Sequence, residues 1–166
     1  MTSPLRRVRI PPIASSKERD MTQGNFLRAV VAGFIATYVM TMTGFWQAGI
    51  GLPKMDPAGL MAMQMGQAYG WGQAAHFLNG IILALIYAQW FYGRLPGGGL
   101  MKGIIYGVLA TIAAVAVVIP LISASTANPA GIFFTNTPMP GAMLLGALAG
   151  HLGYGVALGL AYTPAD

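Results

Sequence analysis

The chain has 166 residues, 55% of them apolar and only 8% charged, with no cysteine and a formal charge of +5. Soluble globular chains carry roughly 25% charged residues, so this composition excludes an ordinary soluble domain. The missing thiols exclude disulfides, iron–sulfur clusters, thiolate zinc sites and c-type haem attachment. The positive charge gathers on one side of the apolar segments, which points to anionic lipid headgroups and away from nucleic acid.

Residues 1–24 read as a basic arm. Pro4, Pro11, Pro12 and the mixed charge predict an extended or disordered segment, and no short apolar core with a small-residue cleavage site marks a signal peptide. The first apolar run, Ala29 to Ile50, has the ~20 residues needed to cross a bilayer core. A loop follows in which Asp56 is the predicted N-cap, and Pro57 the first residue, of a short interfacial helix. The second apolar run, Ala74 to Tyr92, completes a first helical hairpin over residues 25–95. Tyr69, Trp71, Trp90 and Tyr92 fit interfacial anchors.

The third run, Gly103 to Ile122, carries Pro120, which predicts a kink near its outer end. The loop from Ser123 to Pro140 has no charged residue and contains Phe133 and Phe134, which suits burial at the membrane surface or against another subunit. The fourth run, Gly141 to Tyr162, closes a second hairpin over residues 99–166. The expected fold is an all-α membrane bundle of four transmembrane helices. Of the nine Lys and Arg residues, only Lys54 falls on the outer side, so both termini are expected to be cytoplasmic in a bacterial inner membrane.

The two hairpins resemble each other. Gly33 to Thr37 and Gly107 to Thr111 both read G-x-x-A-T, while His76 to Tyr87 and His151 to Tyr162 both read H-x3-G-x2-L-x-L-x-Y. The offsets differ by one residue, and the only two histidines of the chain fall at equivalent positions. A two-helix unit returns the chain to its starting side, so the copies form a parallel tandem repeat about an axis along the membrane normal. Gly72, His76, Gly80 and Ala84 recur every four residues, as do Ala147, His151, Gly155 and Gly159. Ala29, Gly33, Thr37 and Thr41 make the matching stripe on the first helix, and Gly103, Gly107 and Thr111 on the third. These stripes are expected to face the interior.

An ionisable side chain inside a span is a candidate functional group because its burial is expensive. In a square bundle with about 9 Å between adjacent axes the diagonal is about 13 Å, room for a metal or porphyrin between two imidazoles. His76 and His151 are therefore candidate axial ligands of a b-type haem, with Gly80 and Gly155 leaving space for a macrocycle. One competing reading makes the histidines interhelical hydrogen-bonding groups and the glycines packing residues, and another places the imidazoles against a pigment, a quinone or a partner's cofactor. Met61 and Met65, four residues apart, are candidate thioether ligands for copper, although methionine also serves as an apolar gap-filler. No Ser/His/Asp arrangement, paired carboxylates, phosphate loop or H-E-x-x-H is present, so no catalytic activity is expected.

The G-x-x-A-T motif of the first helix, G-L-P-K-M-D at Gly51 to Asp56, H-x3-G…Y at His76 to Tyr87 and G-H-x2-Y-G at Gly150 to Gly155 resemble a bacterial family of small four-helix membrane proteins, uncharacterised in activity. That resemblance covers most of the chain after Met21 and implies the fold and little else. The expectation is a non-catalytic accessory subunit of a larger respiratory or photosynthetic electron-transfer complex, in contact with lipids and other membrane subunits. The alternatives are a haem or other cofactor binder and a copper or small-solute carrier.

Overall fold

The computed structural model describes residues 16–118, 120–121 and 140–164. Helix α1 spans Ser16–Trp46 and ends in a tight turn at Gln47–Ile50. Helix α2 is Pro57–Met65, α3 is Tyr69–Ile86 with a wider final turn at Tyr87–Phe91, α4 is Gly99–Ala113 with a similar turn at Ala114–Val118, and α5 is Pro140–Ala161. No strand occurs among the described residues. Among the described residues four segments are long and apolar enough to cross a bilayer, namely Asn25–Ile50, Tyr69–Phe91, Gly99–Val118 and Gly141–Ala161.

Two expectations change. Residues 16–24 of the expected extended arm are helical, because the prolines stop at Pro12 and only Gly24 among these residues is a poor helix former. At the end of α4, the disturbance comes before Pro120, as the wide turn Ala114–Val118. Proline lacks an amide hydrogen and its ring crowds the carbonyl four residues earlier, so the helix loosens upstream of it. The uncharged loop lies outside the described residues up to Pro140, where α5 begins.

Asp56 caps α2 as its position predicts: its Oδ1 accepts the Gly59 amide at 2.9 Å and the Tyr69 hydroxyl at 3.1 Å. Gly66, at φ 61°, ends α2 in the left-handed conformation that a side chain would strain. The helix then lies on α3, with Gly72 against Ala58 and Ala62.

Helix α5 is the centre of the bundle. It packs on α1 and on α4, while α1 also packs on α3. The backbones of α3 and α4, which would complete a square, stay apart. The small-residue stripes lie inside as predicted: Gly72, His76, Gly80 and Ala84 are the buried residues of α3, and Gly103, Tyr106, Gly107 and Thr111 those of α4. Lipid supplies no hydrophobic drive between helices, so close packing and hydrogen bonds hold such a bundle. A Cβ on Gly103 would fall on the Gly155 carbonyl, and one on Gly155 would fall on that of Gly103.

Long side chains fill the space between α3 and α4 at the end of the bundle that carries the termini. The Tyr106 ring lies tilted at 5.0 Å from Tyr87 and 5.1 Å from Phe91, centroid to centroid, and its hydroxyl donates to the Leu83 carbonyl at 2.8 Å. Tyr162 and Tyr92 complete this layer, with rings 5.2 Å apart. Tyr92 is thus drawn into the aromatic layer, whereas Tyr69, Trp71 and Trp90 are exposed as anchors should be. The Lys102 ammonium sits 4.2 Å from the Tyr92 ring centroid.

Candidate functional site

Beyond the tyrosine layer, toward α2, the interior opens into a cavity of about 160 Å³. Both imidazoles reach it, His76 from α3 and His151 from α5. Thr37, Asn79 and Tyr154 line it from the spans, and Met55, Asp56, Met61 and Gln64 close it from α2 and the preceding loop. The pairing of the histidines follows from their identical place on two small-residue stripes that face one interior.

The two imidazoles are held differently. Thr41 gives its hydroxyl proton to the Thr37 carbonyl at 2.9 Å, so its oxygen can only accept from His76 Nε2 at 3.2 Å. His76 therefore carries its proton on Nε2 and its lone pair on Nδ1. His151 Nδ1 lies 2.8 Å from the Ala147 carbonyl, which can only accept. Its proton is on Nδ1 and its lone pair on Nε2, the nitrogen farther from its own backbone. Each histidine keeps one unprotonated nitrogen after its protein hydrogen bond is made.

Gly80 and Gly155 do not face open space. A Cβ on Gly80 would meet the Thr37 side chain, and one on Gly155 would meet the backbone of Gly103 and Gly107. A porphyrin does not fit this interior. The cavity has the size that holds one benzene ring, about 150 Å³, and the space above both glycines belongs to neighbouring helices. His76 would also have to release Thr41 to offer Nε2. Met61 lines the cavity, whereas Met65 is 45% exposed. No group of three or more His, Asp or Glu side chains able to hold a metal occurs among the described residues.

Sequence reasoning missed three residues of the site. Tyr154 lies three residues after His151, and its buried hydroxyl donates to the Gly80 carbonyl at 2.6 Å, tying α5 to α3. Gln64, hidden among methionines, lines the cavity, and its amide nitrogen is buried without a partner. Asn79 sits at the middle of its span, is exposed, and lines the rim of the cavity. A polar residue inside an apolar run is the signal that marks the last two. Comparison with protein-family models, curated proteins and solved structures finds no match to this chain.

Proposed function

We propose that this multi-pass membrane protein is a non-catalytic subunit of a larger membrane assembly, of the respiratory or photosynthetic electron-transfer kind. The observation that carries this reading is Asn79. It is exposed halfway along α3, at the rim of the cavity. An amide facing hydrocarbon without a partner is costly, and asparagine in a span characteristically bonds to another helix. A polar group on a neighbouring subunit's helix would satisfy it. The test is photo-crosslinking from position 79 in native membranes. A specific protein adduct that disappears when crosslinking is moved to exposed Tyr38 supports the reading. A monodisperse bundle with adducts only to lipid rejects it.

The same reading includes a parallel duplication of the hairpin, with both termini cytoplasmic in a bacterial inner membrane. The local geometry of the two G-x-x-A-T motifs supports it: Thr37 donates to the Gly33 carbonyl at 2.7 Å and Thr111 to the Gly107 carbonyl at 2.9 Å. The basic residues Arg28, Arg94 and Lys102 flank the end that carries the termini, which is the positive-inside pattern. Alkaline phosphatase fused after Lys54 should be active and after Arg94 inactive. The opposite pattern would overturn the orientation.

A further inference from the structure

We infer that the cavity binds one Cu(I) ion, with the imidazoles of His76 and His151 and the thioethers of Met40, Met55 and Met61 as the donor set. This goes beyond the accessory-subunit reading and does not depend on it, because every donor belongs to one chain.

The packing gathers these donors from separate elements. Met40 comes from α1, Met55 from the loop before α2, Met61 from α2, His76 from α3 and His151 from α5, and all five line the cavity. Glycines make room for two of the thioethers. A Cβ on Gly146 would lie 3.4 Å from the Met55 Cγ, and one on Gly150 would lie 3.7 Å from the Met40 Cγ. These glycines stand one turn apart on α5, each directly before a lining residue, Ala147 or His151. Two thioethers distant in sequence thus lie across α5 beside His151, where spacing along α2 pointed to Met65.

The imidazoles are held as ligands are. A metal-bound histidine characteristically donates its other ring N–H to an oxygen, which fixes the tautomer and the ring orientation. His76 donates to the Thr41 hydroxyl and His151 to the Ala147 carbonyl, which leaves lone pairs on Nδ1 and Nε2 respectively. The Gln64 amide nitrogen is shut away from open space and takes no part, and Asn79 at the rim is left for a neighbouring helix.

Softness and charge select the ion. Thioether sulfur favours Cu(I) and imidazole also suits copper, whereas hard divalent ions prefer carboxylate and carbonyl oxygens. Among the described residues no Lys or Arg lines the cavity, and Asp56 is its one acidic residue. The Asp56 Oδ1 is taken by the Gly59 amide and the Tyr69 hydroxyl. The carboxylate therefore balances one positive charge from the wall, while a divalent ion would keep an uncompensated charge inside the membrane.

The test titrates the full chain, purified in mild detergent, into Cu(I) held by bicinchoninate under ascorbate without oxygen. Fading of the chelator's colour reports transfer, and about one equivalent per chain is expected. His151→Ala should weaken binding by more than about a hundredfold, beyond the range for losing an outer partner of a ligand, and Thr41→Val, which frees His76, by about tenfold. Met61→Leu keeps the volume, removes the sulfur and should also weaken binding by at least about tenfold, while exposed Met65→Leu should leave it unchanged. No transfer from the chelator, full binding in Met61→Leu, its loss in Met65→Leu, or displacement of the copper by equimolar Zn(II) would overturn the proposal. Should His151→Ala fail to fold, the two methionine variants decide, since both conserve side-chain volume.

Discussion

The two hairpins carry the same motifs yet pack differently. In the first, Gly80 faces the side chain of Thr37, while Gly33 meets the Ala84 methyl group together with the backbone of Ile81 and Gly80. In the second, Gly99, Gly103 and Gly107 on α4 meet Gly155, Gly159 and the His151 carbonyl on α5, so backbone touches backbone. The level of contact also shifts. Gly80 lies against Thr37, whereas its counterpart Gly155 lies between Gly103 and Gly107, below the matched Thr111 by about one helical turn. Sliding one helix against another by a turn preserves a stripe of small residues that recurs every four positions. The histidines differ as well: His76 meets the hydroxyl of Thr41, whereas the residue matching Thr41 on α4 is Val115, which has none, and His151 bonds to its own helix instead. Similar sequences thus yield opposite tautomers.

The largest expected effect tests the backbone seam. Gly155→Ala places a methyl group on the Gly103 carbonyl, which no side-chain rotation relieves, and should destabilise the bundle by about 3 kcal/mol in a detergent unfolding titration. Gly80→Ala should lose somewhat less, about 2 kcal/mol, and trimming the obstacle with Thr37→Ala should restore most of it. If both substitutions respond alike to trimming of their neighbours, the distinction between the hairpins fails.

The tie between the hairpins ranks next. Tyr154→Phe removes the bond to the Gly80 carbonyl and should lower stability by about 1 kcal/mol, within the range of interhelical hydrogen bonds in membranes. The smallest effect sharpens the comparison most. Thr41→Val should cost only about 0.6 kcal/mol. In nitrogen-15 spectra it should alter the His76 ring signals and leave those of His151 unchanged. A change at both rings would show that the two imidazoles are coupled and not held separately.

Much of the fold was legible in the residues. The four apolar runs, the Asp56 cap with Pro57 after it, and the inward stripes of α3 and α4 follow from length, turn chemistry and a four-residue period. The same period is enough to place His76 and His151 in the interior without reference to any contact. It did not reveal that Tyr106, Tyr92 and Tyr162 would seal one end and leave a cavity at the other, because long aromatic side chains reach across a gap that their own helix position does not define. Nor did it distinguish Met61, which lines the cavity, from Met65 on the same helix face, which is exposed.

The sequence by itself determined that this is a charge-poor bundle of four spans with small residues and two imidazoles turned inward. Hydrophobic length and periodicity are properties of each segment alone, so no partner is needed to read them. Only the tertiary structure decided that α3 and α4 stay apart, that Gly80 and Gly155 are filled by their neighbours, and which nitrogen of each histidine keeps its lone pair. These depend on the height at which one helix meets another, and a repeating stripe of small residues permits several such heights with nearly equal packing.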